Sequence, residues 1–481
     1  MTWRLRSPRA VDAALVSVLL SASLGAAFRG YYALSAVSAV LCAVAAVASL
    51  RLSAWLRGKL SCSTSPGSDV AHVRKAGSAL PCPFPDAWYA VALSAELPAG
   101  ALRSVTVCSR NLVVWRPAQP AGAPPVVMSA YCPHMGAHLG LGGGSVIGGT
   151  IRCPFHGWTF DAAGACVAVP GCESGALPAA TVPRLPVCER NGVISVWMAS
   201  ASHREGAEAA AAASAAGGAA AAPPPQPTSP SSRAVQQLSY EDDAAGAAPR
   251  ALPDLSPAWN IPEMPELTGA WTYVGYTENI VPAHLLEMPM NGADVAHLPA
   301  LHSGFVVPWL GWALSHTWAA TWTARTAAGE RHLADIAIDE AVALFGVELP
   351  GKVCVKILQA GPSQVFLRMQ TPVGPIFIIE TVTPVSPLEQ RTLHALYVPP
   401  WFPTVAGKAI LAATLRQYEK DVPVWTSKVY KRQPMLSSAD KAVASYLRWI
   451  NQFSNPESIT FEEAAKAHAR DMAGLPSALA W

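Results

Sequence analysis

Two short pairs of metal-binding residue types stand out in this 481-residue chain: Cys132-Pro-His134 and Cys153-Pro-Phe-His156, separated by the glycine-rich residues 135–152. Each pair offers one thiolate and one imidazole at a spacing that a single tight turn can aim at one point. Two cysteines on one iron and two histidines on the other make the ligand set of a raised-potential 2Fe–2S cluster. Neutral imidazoles in place of anionic thiolates make the reduced state less unfavourable. Tetrahedral zinc also takes two cysteines and two histidines. Zinc fingers, however, group cysteine with cysteine and histidine with histidine, whereas each unit here mixes the two.

A second constellation lies in MNGADVAHLPALHSGF, where Asp294, His297 and His302 form D-x2-H-x4-H. On a helix Asp294 and His297 share a face. His302 falls roughly 140° further round at about 3.6 residues per turn. Both imidazoles reach one metal only if the helix loosens, and Pro299 removes a backbone donor between them. A mononuclear non-haem iron(II) site needs two histidines and one carboxylate on one face, with positions left open for dioxygen. The carboxylate must come from elsewhere. Asp421, in QYEKDVPVWTSKVY after an amphipathic helix, is the best candidate; Glu419 is its rival, and local sequence does not choose between them.

The elements that must position these groups fall into distinct stretches. Residues 81–200 read as short alternating strands punctuated by proline and glycine, a compact β domain around the first constellation. Residues 201–252 are an Ala/Pro-rich low-complexity insertion with too little apolar surface to offset its ordering entropy, and so are expected to be disordered. From residue 253 to 481, strand-like runs at 333–339, 352–358, 364–370 and 376–383 lie between helical patterns near 283–302, 404–420 and 438–453. That order predicts an α+β domain on an antiparallel sheet. The glycine-rich run between the cysteine–histidine pairs supplies the left-handed turns and close backbone approach that a cluster under two loops requires.

Residues 1–60 are of another kind. The stretches 13–28 and 30–50 carry no charge and are separated by Arg29; the second is long enough to span a bilayer. Arg4, Arg6 and Arg9 precede them, and Arg51, Arg57 and Lys59 follow, which predicts a membrane anchor of one or two transmembrane helices with the enzyme on the cytosolic side. An organelle transit segment is the competing reading. Charged residues make up only 14% and the net charge is +2, which argues against a nucleic-acid partner bound by phosphate neutralisation. The ten cysteines are scattered without a disulfide framework, a pattern that suits a reducing compartment.

The stretch AYCPHMGAHLGLGGGSVIGGTIRCPFHGWTFD resembles the Rieske domain of Rieske non-haem iron oxygenases, residue for residue at CPH and CPFHGW. The resemblance implies that Cys132, His134, Cys153 and His156 hold the 2Fe–2S cluster. Ala137 and Phe155 stand where respiratory Rieske proteins carry a disulfide, so that bridge cannot form. His138 matches no family ligand. The same resemblance makes His297, His302 and Asp421 the mononuclear iron ligands, in a helix-grip-like catalytic domain. It gives Asp294 the role of bridging electrons to a cluster histidine of a neighbouring subunit, and hence implies a head-to-tail homotrimer.

The motifs NGADVAHL-x2-LH, QAGPSQVFL, TVTPVSPLEQRTLH, EKDVPVWTSKVY and YLRWINQF, in that order, look like the Neverland family of cholesterol 7-desaturases, with bacterial 3-ketosteroid 9α-hydroxylases related. The similarity spans about residues 81 to 457 apart from the insertion. Met290 departs from the glutamate the family carries there, and Pro299 and Ala300 replace a polar residue and an aromatic. The resemblance implies desaturation of a sterol at C7–C8 with dioxygen, in an endoplasmic reticulum membrane. The Trp-rich residues 303–324 are expected to line the sterol pocket, with ordinary core packing an equal alternative for any one tryptophan. No GxGxxG opens a strand–helix unit and no plant-type ferredoxin spacing occurs. Electrons from NAD(P)H are therefore expected through a separate reductase or ferredoxin. Rival readings are a steroid hydroxylase of the same family, a plastid-membrane pigment oxygenase like pheophorbide a oxygenase, and a membrane-tethered Rieske electron carrier.

Overall fold

The computed structural model describes residues 80–172, 177–199, 257–269, 271–302, 314–344, 346–348, 353–371, 374–454 and 456–473. The expected N-terminal membrane segments and the Ala/Pro-rich insertion lie outside these residues. No helix among the described residues is long and apolar enough to cross a membrane.

The first domain is all-β. Its strands are β1 (Ala87–Leu93), β2 (Leu102–Val107), β3 (Arg110–Trp115), β4 (Val126–Ser129), β5 (Ser145–Ile147), β6 (Thr150–Arg152), β7 (Thr159–Phe160), β8 (Cys166–Ala168), β9 (Val187–Arg190) and β10 (Val193–Met198). They form three antiparallel sheets, β1-β10-β9, β2-β3-β4 and β5-β6-β7-β8. Tyr89, Val91, Leu112, Val114, Ile194 and Val196 interleave in one core. A second core of Trp115, Met128, Leu139, Ile151 and Phe160 also encloses Cys132 and Cys153. The two cysteine loops are thus rooted in packed hydrocarbon, where each fully buried large apolar side chain contributes about 1.5–3 kcal/mol.

The second domain is one antiparallel sheet with helices on it. Its strands are β11 (Thr272–Val281), β12 (Leu314–Ala324), β13 (Leu333–Leu344), β14 (Val347–Glu348), β15 (Val353–Ala360), β16 (Gln364–Thr371), β17 (Gly374–Ser386) and β18 (Glu389–Val398). The order is β11-β18-β17-β16-β15-β13-β12, with β14 on β13. Each of the four expected strand runs falls on one of β13, β15, β16 and β17. The helices are α1 (Glu287–Met290), α2 (His297–Leu301), α3 (Thr404–Ser427), α4 (Lys441–Ile450) and α5 (Phe461–Ala473).

Because side chains alternate along a strand, β17 sends Phe377 and Ile379 to one face and Ile378 and Glu380 to the other. The first face packs against Trp88, Ala90 and Trp197 of the β domain. Hydrogen bonds fasten this junction: Ser363 Oγ donates to the Trp88 carbonyl at 2.7 Å and Thr383 Oγ1 to that of Ala90 at 2.9 Å. The other face, roofed by α1, α2 and α3, lines a cavity.

Two expectations need correction. The helical pattern near 283–302 is two short helices, because Asn291-Gly292 breaks it; Pro289 and Pro299 sit in the first turns of the two helices, where no backbone donor is needed. A side chain at Gly292 would also drive its Cβ to 2.7 Å from Ile336 Cδ1. Asp421 does not follow the helix expected near 404–420 but sits inside it: α3 continues through Pro423 to Ser427.

Candidate functional site

The two cysteine–histidine loops are copies of one turn. The Cys132 amide donates to the Ala137 carbonyl at 2.9 Å, and Gly136 N–H returns to the Cys132 carbonyl at 2.9 Å. In the second loop Cys153 donates to Trp158 at 2.7 Å and Gly157 returns to Cys153 at 3.2 Å. Both returning glycines are left-handed, with φ of 70° and 72°, a conformation that side chains with a Cβ resist. Cys132 and Cys153 are buried while His134 and His156 are exposed, their rings 4.8 Å apart. Trp158 stacks flat on His134 at 4.5 Å.

Burial pushes the Cys132 thiol up to about 11, and the nearby Cys153 adds to the rise. A metal held there must displace that proton. Paired buried sulfurs beneath paired exposed imidazoles fit a cluster with its histidine iron outermost. His138, matched to no ligand, accepts the Gly140 N–H at Nδ1 (3.0 Å) and pairs with Ser104 Oγ through Nε2; burial lowers its pKa.

The second group is His297, His302 and Asp421, whose ligand atoms lie within 4.8 Å of one another. Asp421 Oδ1 is 3.3 Å from His302 Nε2 and 4.0 Å from His297 Nε2. The broken helix makes this possible: His297 opens α2, and His302 caps it with φ −108° and ψ 1°. Each imidazole has its Nδ1 engaged, His302 with Gln417 Oε1 at 3.1 Å and His297 with the Asp294 carbonyl. That leaves both Nε2 atoms for a cation, the usual arrangement around a metal-binding histidine. The set fits a two-histidine, one-carboxylate iron(II) site.

Helix α3 decides between the rival carboxylates. Gln417 and Asp421 are four residues apart and share a face, whereas Glu419 is about 200° round from Asp421. Accordingly Glu419 turns away and pairs with Arg416 at 2.6 Å. The Asp294 carboxylate accepts the His297 backbone N–H at 3.3 Å, and the His297 imidazole bonds to the Asp294 carbonyl.

The triad borders a cavity of about 350 Å³, within the ~300–1,000 Å³ of small-molecule sites. Its sheet wall is mostly aliphatic. Of the two tryptophans of β12 that the structure describes, Trp318 lines the cavity, while Trp322 is core, edge-on to Tyr446 and Trp449. Sequence reasoning missed Glu380, His394, Gln417 and Tyr418, which also line it; strand alternation could have placed Glu380 beside the apolar face. Glu380 is 31% exposed and lines the cavity. Burial, and then the charge of Asp421, raises its carboxyl to about 7. Burial lowers His394 to about 4. A larger hollow of about 650 Å³ at the domain junction, lined by Asp86, Arg190, Trp259 and His332, holds none of the metal-binding groups.

Fold and site together define a Rieske-type oxygenase, an oxidoreductase built on a Rieske 2Fe–2S cluster and a mononuclear iron. Residues 87–186 match the Rieske [2Fe-2S] domain and residues 251–454 the 3-ketosteroid 9alpha-hydroxylase C-terminal domain. The chain belongs to the cholesterol 7-desaturase (Neverland) family. It is 32% identical to cholesterol 7-desaturase of Bombyx mori over 81% of this chain and 74% of that one. With the Xenopus laevis protein of the same name it shares 31% identity over 82% and 78%. Among solved structures, Pseudomonas putida NdmA with caffeine has the same fold, with a TM-score of 0.51 and 17% identity over 80% of this chain and 92% of that one.

Proposed function

We propose that this enzyme desaturates a sterol, cholesterol or a close relative, at C7–C8. The observation that carries the reading is the convergence of His297, His302 and Asp421 at the edge of an apolar cavity, in a chain whose relatives are named for that reaction. Cys132, His134, Cys153 and His156 hold the 2Fe–2S cluster, and His297, His302 and Asp421 hold iron(II). When bound, the mononuclear iron supplies dioxygen activation for chemistry at an unactivated carbon.

The chain's own residues do the rest. Gln417 and the Asp294 carbonyl keep the imidazole protons on Nδ1, so both Nε2 lone pairs face the metal position. The aliphatic wall excludes water and holds a fused-ring hydrocarbon by contact area. Electrons come from NAD(P)H through a separate reductase or ferredoxin. They enter the catalytic domain from a neighbouring chain of a homotrimer, with Asp294 at the crossing. Supporting that arrangement, the segments that carry the exposed cluster histidines also expose Tyr131, Met135, Leu141 and Phe155, apolar groups suited to a protein face. Residues 1–60 anchor the enzyme in the endoplasmic reticulum membrane, where its substrate dissolves.

The test is mass spectrometry of products from purified chain, a generic reductase, NAD(P)H, dioxygen and cholesterol. Loss of two hydrogens between C7 and C8 is expected. Gain of one oxygen would make the enzyme a hydroxylase, and unchanged sterol under a reducible cluster would refute the substrate.

A further inference from the structure

The sheet wall of the cavity is mostly apolar, with Glu340 and Thr392 polar at other levels and one row of three polar side chains at a single level. Ile336, Val355, Ile357, Leu367, Met369 and Ile378 face the cavity. At one level the strand register places Gln359 beside Val365, Val365 beside Glu380, and Glu380 beside His394. Three polar side chains therefore cross β15, β17 and β18 in a row. This row lies at the triad's end of the wall: Tyr418, one turn before Asp421 on α3, packs its ring 4.7 Å from His394.

Two members of the row are not fully engaged by the protein. Glu380 Oε1 is 3.9 Å from His394 Nε2, beyond hydrogen-bond reach, and its side chain opens to the cavity. Gln359 is 1% exposed, and its Oε1 accepts from Trp322 Nε1 at 3.1 Å. Indole N–H is a donor only, so it fixes which way the amide points. The Gln359 Nε2 group is then enclosed with no partner among the described residues, a costly arrangement unless something accepts from it.

We propose that this row is the specificity-determining anchor for the polar end of the substrate: a substrate hydroxyl donates to Glu380 and accepts from Gln359, while the hydrocarbon body lies along the aliphatic wall. The inference rests on the sterol reading. In a 3-hydroxysterol the oxygen is on the ring fused to the one that contains C7, which suits a polar row beside the metal triad and an apolar floor beyond it. A 3-deoxysterol offers neither hydrogen bond.

The experiment compares kcat/KM for cholesterol and its 3-deoxy analogue, cholest-5-ene, in wild type, Glu380→Leu and Gln359→Met, with cluster absorption and iron content as controls of folding. Wild type is expected to prefer cholesterol by about 10- to 100-fold, mostly through KM. Glu380→Leu should bring that preference to within about 2-fold, and Gln359→Met should cut it by about 5-fold. Either variant alone decides the matter if the other does not fold. Equal losses on both substrates, or a wild type indifferent to the hydroxyl, overturn the anchor and leave the desaturase standing. Absence of any sterol turnover by wild type overturns both.

Discussion

Gln417 does not touch the metal position, yet it should govern iron affinity. Its Oε1 lies 3.1 Å from His302 Nδ1, and His302 is only 7% exposed, so water cannot easily replace it. Gln417→Leu keeps the side chain's bulk and removes the acceptor. The orphaned Nδ1–H costs about 1–3 kcal/mol with or without metal. What changes on metal binding is the loss of ring orientation and imidazole basicity, typically 10–100-fold in affinity, or about 1.4–2.7 kcal/mol. Anaerobic competition for ferrous ion against a chromogenic chelator should show half-occupancy at about 10- to 100-fold higher free iron. The visible absorption of the cluster should not change. Glu419→Gln, on the opposite helix face, should stay within about 2-fold of wild type. The reasoning fails if Gln417→Leu binds iron like wild type, or if Glu419→Gln loses as much.

The two matching cluster turns separate strain from crowding. At Gly157 (φ +72°) an added Cβ meets Pro170 Cγ at 3.0 Å and Arg152 at 3.1 Å, whereas at Gly136 (φ +70°) it meets nothing. Gly136→Ala should lower stability by about 1–2 kcal/mol from backbone strain alone, and Gly157→Ala by more; thermal midpoints in the reverse order would contradict this. Burial also holds His284 and His394 at about 4 rather than 6.5. Their stabilising effect is complete above pH 6.5 and is lost as pH falls towards 4, each accounting for up to about 3 kcal/mol. Glu380, raised to about 7, works in the opposite sense, favouring the fold as pH falls from 7 towards 4.5. Urea denaturation of iron-free protein should therefore show a shallower acid loss in His394→Gln than in wild type, and identical slopes would count against the burial argument. Trp449 packs on Trp322, Tyr446 and Phe453 and donates to the Arg331 carbonyl at 2.8 Å. Trp449→Ala should cost about 3–5 kcal/mol, measured by the same denaturation.

The cluster loops were legible because their ligands are neighbours in sequence and glycine marks the turn that aims them. Strands β13, β15 and β16 were legible because apolar and polar residues largely alternate along them, and β17 because of its short β-branched and aromatic run at 376–379. Four other strands, β11, β12, β14 and β18, were not: β18, for example, is covered on both faces and reads EQRTLHALYV with seven of its ten positions buried, so alternation vanishes. The helical period predicted one helix through 283–302, but local breakers and the tight approach of Gly292 to Ile336 prevailed. Choosing Asp421 over Glu419 needed the observation that α3 runs past both, since opposite helix faces are invisible until the helix is known to continue. Gln359 and Glu380 carry no sequence signal of their own; only the sheet register puts them in one row.

The most direct test of the account is quantification of iron and acid-labile sulfide in anaerobically reconstituted protein, with electron paramagnetic resonance of the reduced cluster. Three irons and two sulfides per chain are predicted, and His297→Ala should retain two irons, two sulfides and an unaltered cluster signal. Two irons in both proteins, or zinc in place of the cluster, would contradict it.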